Sequence, residues 1–322
     1  MEHVLQSLTI VTPIIFVLLL GLFAGKKNAF GKDGDSVSVI NELVLTFALP
    51  ASLFVGTVSV TKKELINELD LFFSLLVCLL IAYFIGLAVA KFIFKRNMVE
   101  ASIAGLAVSF SAGPFYGPAL LGSIYGTKGD VAVSIIALIL NVFIVPLATI
   151  IIKVNIQNKE ANKNSIFKMI SQAIYQAIFK TPFVWAPLLG FILVFLDIQI
   201  PLVVTNSLDM IGKATAGVAI FVAGMTIAEH KFSLTKEVIS IALLKNIAVP
   251  ALFIGIALFF HISKVSASFN QGLLLAALPS GPMIVLLATK YKQYQKEASS
   301  ILALSTIGMI ITVTAIIAAL NV

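Results

Sequence analysis

Ser109-Phe-Ser-Ala-Gly-Pro114-Phe-Tyr-Gly-Pro118-Ala119 and, about 165 residues later, Leu278-Pro279-Ser-Gly-Pro282-Met283 decide how this chain is read. Both stretches lie in strongly apolar surroundings. A proline inside a helix removes one N–H and clashes with the carbonyl four residues back. In hydrocarbon an unsatisfied backbone group costs several kcal/mol, so a broken helix persists only against protein or a watery cavity. Matching interruptions in the two halves of a membrane chain are the pattern of a binding site built at mid-membrane.

The composition places both stretches in a bilayer. The chain of 322 residues is 59% hydrophobic and 11% charged, where soluble domains carry roughly 25% charged residues. About 20 apolar residues span a membrane, and ten stretches qualify: 8–25, 38–58, 71–94, 102–123, 131–152, 182–197, 201–228, 237–261, 269–289 and 298–320. The expected fold is all-α and integral to the membrane, with ten transmembrane helices. The first stretch has no basic residue before it, and Lys26 and Lys27 follow it, so it does not read as a cleaved signal peptide. The single cysteine, Cys78, excludes an intrachain disulfide.

The formal charge of +7 would suit nucleic acid, but the positions of the cations explain it better. Fifteen of the 22 Lys and Arg residues fall in alternate loops on one side of the ten spans, with Lys91 in the span end next to them, and four fall on the other side; Lys213 and Lys245 lie within spans. Positively charged loops stay in the cytoplasm. The sequence therefore predicts a plasma-membrane protein with both termini outside and no nucleic-acid partner.

The most polar stretch, 153–165, separates five spans from five. An odd number per half inverts the second half relative to the first, so repeats, if present, are inverted. Paired landmarks recur near one offset: Pro114 and Pro279 are 165 apart, Pro118 and Pro282 164, Tyr125 and Tyr291 166, Glu42 and Asp209 167. The predicted organisation is a five-helix repeat over 1–152, a linker over 153–181, and an inverted five-helix repeat over 182–322. Within the linker, Ile166, Ile170, Ala173, Ile174, Ala177 and Ile178 recur at helical spacing, which predicts a short amphipathic helix at the cytoplasmic interface.

No H-E-x-x-H, G-x-S-x-G, phosphate-binding loop or paired-cysteine motif occurs, and His3, His230 and His261 fall at or beyond span ends. No enzyme, metal site or cofactor is expected. Glu42 and Asp209 are the only acids read as lying within or at the edge of spans, which argues against a Na⁺/H⁺ antiporter. Proton or sodium coupling of another substrate stays open, because carbonyls of broken helices also hold Na⁺. Lys245 either attracts an anion and balances charge during transport or is held structurally by carbonyls or an acid. Lys213 has the same two readings, or snorkels to an interface.

A helix that restarts after a break presents free N–H groups and a positive dipole end. Ser109, Ser111, Tyr116 and Ser280 add hydroxyl donors around Pro114, Pro118, Pro279 and Pro282, and Gly113, Gly117 and Gly281 admit a ligand to the backbone. This set suits a small carboxylate. Asn141 and Thr306, 165 apart in spans 5 and 10, either line the same site or hold helices together.

At these residues the chain resembles the auxin efflux carrier family, which includes plant PIN carriers and bacterial malate or malonate permeases. The resemblance rests on Asn41-Glu-Leu-Val-Leu-Thr-Phe-Ala-Leu-Pro50-Ala-Ser52-Leu-Phe54, on Gly117-Pro118-Ala-Leu-Leu121 followed by Tyr125-Gly126, and on Gly217-Val-Ala-Ile-Phe221-Val-Ala-Gly224. Leu244-Lys245 with Pro250, and Ala277-Leu-Pro279 with Leu287-Ala-Thr-Lys-Tyr291, complete it. It implies helices 4 and 9 broken and crossing at the substrate site. It also implies a scaffold of helices 1, 2, 6 and 7 that dimerises, and a transport domain of helices 3–5 and 8–10 that moves as an elevator. Asn41, Pro50 and Ser52 would line the scaffold side. Here Gly-Pro-Ala replaces the family's Gly-Ile-Pro, and Ala112 and Gly113 stand near its asparagine, so substrate identity is not inherited. The expected function is secondary transport of small organic anions, a dicarboxylate such as malate. The alternatives are a cation-coupled carrier built like the Na⁺/bile-acid symporters and a non-transporting membrane receptor.

Overall fold

The computed structural model describes residues 2–31, 35–59, 61–156, 175, 179–229 and 233–320. The amphipathic helix expected in the linker lies, apart from Tyr175, Phe179 and Lys180, outside these residues. Among the described residues the chain is helical throughout, and its one extended pairing is a single antiparallel bridge between Ser111 and Ser280.

The first half runs α1 (Glu2–Lys26), α2 (Asp35–Leu43), α3 (Leu49–Val58), α4 (Lys62–Asn67), α5 (Leu69–Ala88), α6 (Met98–Ser109), α7 (Gly113–Tyr125), α8 (Gly129–Leu138) and α9 (Val145–Ile156). The second runs α10 (Pro182–Phe195), α11 (Leu202–Gly212), α12 (Ala214–Glu229), α13 (Lys236–Leu243), α14 (Val249–Phe259), α15 (Ala267–Ala277), α16 (Met283–Tyr291) and α17 (Gln295–Leu320). Among the described residues, six helices are long and apolar enough to cross a membrane: Val37–Val58, Leu65–Ile93, Gly129–Ile156, Leu202–Ala228, Lys236–Phe259 and Gln295–Leu320. The first proline stretch runs from the end of α6 across an interruption at 110–112 into α7, and the second joins α15 to α16 across 278–282. Large apolar side chains face outward, among them Phe92 and Leu202 at 76% exposure and Met210 at 81%. Such a surface is untenable in water and ordinary in lipid.

Several of these helices carry a widened, π-type turn, and three of the turns have one cause. Val44–Ala48, Ile139–Ile144 and Leu244–Ala248 each end two residues before a proline, respectively Pro50, Pro146 and Pro250. The carbonyl four residues before each proline falls inside its turn, and widening the turn relieves the clash without ending the helix. Asn141 and Lys245 sit in two of these turns.

Polar ends are tied together by the chain's single arginine. Arg96, in the loop after α5, bonds Glu237 Oε2 at 2.7 Å, Glu297 Oε1 at 2.7 Å and Glu100 Oε1 at 3.4 Å. The three acids occupy the first turns of α6, α13 and α17, where the helix dipole already favours negative charge. Tyr294 Oη donates to Glu237 Oε1 at 2.7 Å. Hydrogen bonds to Glu237 hold the Arg96 guanidinium above even its ordinary range, and burial pushes the Tyr294 phenol up. Glu237 is only 5% exposed, so removing its cation leaves a buried, unpaired charge. Arg96→Met is therefore expected to cost about 3 kcal/mol, measured by denaturation in detergent. Adding Glu237→Gln is expected to recover part of the loss, and equal stability of Arg96→Met and the parent would remove this cluster from the account.

Candidate functional site

The two interruptions meet. After α6 the chain is extended at Phe110, and after α15 it is extended at Leu278. Ala112 N–H donates to the Pro279 carbonyl at 2.8 Å, and Gly281 N–H donates to the Phe110 carbonyl at 3.0 Å. The serines bond reciprocally: Ser280 Oγ donates to the Ala107 carbonyl at 2.6 Å, and Ser111 Oγ donates to the Leu275 carbonyl. Each hydroxyl thus caps the C-terminal end of the other half's broken helix. Ser280 N–H reaches Ser305 Oγ at 3.1 Å, which ties α17 to the junction.

In this structure the hydroxyls of Ser111 and Ser280 are engaged by backbone carbonyls. Ser111 and Ser280 spend their protons on carbonyls that helix interruption would otherwise strand in an apolar interior. Ser109 donates to the Leu106 carbonyl at 3.4 Å and Thr306 to the Leu302 carbonyl at 2.7 Å. Lys245, fully buried, donates to the Ala276 carbonyl at 3.1 Å. It places a cation at the C-terminal end of α15, a favourable dipole position, and the structural reading is the one its geometry supports. Lys213 pairs with Asp209 one helical turn away at 2.6 Å, with 75% of its side chain exposed.

The glycines also differ from expectation. A Cβ on Gly113 would lie 2.6 Å from Ile136 Cγ2, and one on Gly117 2.7 Å from Val133 Cγ2. These positions let α7 lie close on α8 rather than exposing backbone to a ligand. Gly281 faces the Phe110 ring. Pro118 is accommodated inside α7, whereas Pro114 stands in the first turn, where its missing N–H costs nothing.

Against the junction lies a cavity of about 360 Å³. Phe110, Pro114, Phe115, Pro282 and Met283 form its floor, so the first turns of α7 and α16 both border it. Asn41 and Leu45 wall it from α2 and the turn that follows, and Thr181 and Phe183 from the start of α10. Asn141, Val145, Thr149 and Lys153 form a stripe up one side, and Met283, Leu286, Leu287 and Lys290 form another. Asn141 Nδ2 donates to the Ala137 carbonyl at 2.8 Å. A smaller recess beside it, about 30 Å³, is lined by Asn41, Phe115, Tyr116, Ser280 and Pro282 with residues of α12 and Leu302. Tyr116 is buried there.

Of the residues singled out in the sequence, Asn41, Pro114, Asn141 and Pro282 border the larger cavity. Pro50 and Ser52 do not: Pro50 is buried in α3, and Ser52 packs against Gly212 of α11. Lys153, Lys290 and Thr149 were not singled out. The signal for them was present, since 141, 145, 149 and 153 are spaced by four, and 283, 286, 287 and 290 by three or four. Both lysines were absorbed into the charge count that set the topology. Among the described residues they are the charged side chains of the cavity lining, and no carboxylate lines it.

The cavity therefore offers apolar walls, amide and hydroxyl groups, two helix N-termini and two ammonium groups. That combination holds small anions and disfavours cations.

Comparison with known proteins agrees in class. The family described as "Membrane transport protein" matches residues 6–317. An uncharacterized transporter, YfdV, from Escherichia coli K12 is 30% identical over 302 residues, covering 93% of each chain. The corresponding Shigella flexneri protein is equally similar. A putative malonate transporter from Rhizobium meliloti 1021 is 22% identical over 310 residues, 96% of this chain and 94% of that one.

Proposed function

We infer the function from one premise: the chain belongs to this family of membrane transport proteins, the auxin efflux carrier family that its motifs resemble. It is a multi-pass membrane transporter and not an enzyme. Within that class we propose a secondary transporter of small organic anions, with a dicarboxylate of the malate or malonate type as substrate. The observation that carries the reading is the cavity itself, floored by both interrupted helices and lined by cations without an acid. The malonate label of the Rhizobium relative points to the same substrate class.

The proposed architecture is the ten-helix inverted repeat, with α6–α7 and α15–α16 as the broken pair. Asn41, Leu45, Thr181 and Phe183 would belong to a scaffold of helices 1, 2, 6 and 7 that also forms the homodimer. The rest of the lining would belong to the moving unit. The reciprocal Ser111 and Ser280 bonds support this division, because they join the two broken pairs into one body. The positive-inside rule puts the lysine-rich loops in the cytoplasm, so the cavity, with Lys153 and Lys290 at its mouth, would open inward. Elevator movement of the crossed unit past the scaffold would then expose the same floor on the other side.

A thermal-shift screen of the purified protein tests the substrate class. Dicarboxylates at millimolar concentration are expected to raise the melting temperature by several degrees through preferential binding to the folded state. Matched diamines are expected to leave it unchanged, and the comparison is repeated with and without sodium. Stabilisation by diamines, or by no carboxylate at all, would overturn the reading.

A further inference from the structure

We propose that Lys153 and Lys290 set the charge preference of the cavity, selecting a dianionic substrate over a monoanionic one. The inference rests on the transport reading above and adds the residues that read the second carboxylate.

The argument begins with placement. Lys153 lies in the last turn of α9 and Lys290 in the last turn of α16. Cα–Cβ bonds lean toward a helix's N-terminal end. Along α16 that end is Met283, on the cavity floor, and along α9 it leads back toward Asn141. Both side chains therefore start back toward the helix interruptions; Lys153 is half-buried and Lys290 exposed. Met283 and Lys290 are seven residues apart, roughly 10 Å along the helix at about 1.5 Å per residue. A lysine side chain leaning back shortens that gap to roughly the length of a small dicarboxylate. One carboxylate can then sit at the first turns of α7 and α16, where the dipole ends are positive, while the other meets the lysines.

The ordinary account of these lysines is topological: cations collect at one end of a membrane protein and complement helix C-termini. Three observations go beyond it. Both side chains line the cavity, whereas Lys292 and Lys296 of the neighbouring segment do not. Among the described residues no carboxylate lines the cavity beside them. Lys153 is half-buried and makes no ion pair among the described residues, and Lys290 Nζ has the Tyr291 ring at 5.8 Å. Two cations without an ion pair among the described residues, bordering a cavity of about 360 Å³, fit a ligand of charge −2.

The test is kinetic. Uptake of a labelled dicarboxylate and of a labelled monocarboxylate of similar length is measured in proteoliposomes. Lys153→Gln, Lys290→Gln and their double variant are compared with the parent, and Lys292→Gln serves as a cation in the same segment off the cavity. Each single cavity variant is expected to raise the dicarboxylate KM about tenfold and the monocarboxylate KM by less than threefold. The double variant is expected to remove most of the preference, and Lys292→Gln to leave both values alone. Lys153→Arg and Lys290→Arg are expected to retain dicarboxylate uptake, which separates charge from folding. Equal changes for both substrates, or the same effect from Lys292→Gln, would overturn the inference while leaving transport intact. A parent protein that moves and binds no carboxylate would overturn the transport reading and this inference with it.

Discussion

Gly281→Leu is expected to abolish transport while leaving a folded protein. A Cβ at this position would lie 2.4 Å from both Cδ1 and Cε1 of Phe110. Phe110 is 2% exposed and its ring borders the cavity floor, so the room for the ring to yield is the cavity itself. The same residue pair carries the Gly281 N–H to Phe110 carbonyl bond, so displacement also loosens the junction of the two broken helices. A shift of about 1 Å at a positioned site costs about a hundredfold in rate, and partial filling of the cavity adds to it. Gly281→Ala is expected to be milder. Its stability loss is expected to shrink when Phe110→Leu removes part of the ring, the signature of a direct contact. Uptake in proteoliposomes and melting in detergent measure the two effects; parental uptake by Gly281→Leu would show that the junction does not govern the site.

Gly21→Ala and Gly224→Ala are expected to destabilise the protein most among single-methyl substitutions. They face each other across the seam between α1 and α12, the most extensive helix pair in the fold. A Cβ at Gly21 would sit 1.9 Å from the Phe221 carbonyl oxygen, and one at Gly224 2.1 Å from the Leu18 carbonyl oxygen. Backbone cannot step aside as a side chain does, so the helices must part by more than about 1 Å. Close backbone approach is what small residues supply between helices in lipid, where hydrophobic burial drives no association. Each substitution is expected to cost about 3 kcal/mol, lowering the melting temperature by roughly 4–5 °C for a chain of this size. The pair is expected to cost less than the sum, because parting the helices for one methyl makes room for the other. The seam does not line the larger cavity, so folded variants are expected to keep the parental KM. An unchanged melting temperature would mean that the helices are not in this register.

Much of the fold was legible because its causes are local. Apolar length located the helices, and the chemistry of proline located the interruptions before Gly113 and Met283. Pro118, by contrast, lies inside α7 without ending it. The widened turns ahead of Pro50, Pro146 and Pro250 were likewise implicit, although the sequence does not say whether a helix bends, widens or stops at a proline.

What the sequence could not give was partnership over distance. Ser111 and Leu275, or Ser280 and Ala107, meet only because two interruptions cross. Residue type alone made these serines substrate donors, whereas the cost of stranded carbonyls made them caps. Lys245 follows the same logic, satisfied by the Ala276 carbonyl rather than directed into the cavity. Lys153 and Lys290 were hidden for the opposite reason. Their charge had a sufficient explanation in topology, and only the helical stripes that place them beside Asn141 and Met283 show a second use.

Uptake of a labelled C3 or C4 dicarboxylate by the purified protein in proteoliposomes decides whether it carries this substrate class. Saturable uptake above empty liposomes is expected, competed by unlabelled dicarboxylates and unaffected by matched diamines. Uptake indistinguishable from empty liposomes for mono-, di- and tricarboxylates alike, with pH and sodium gradients imposed in either direction, would contradict it.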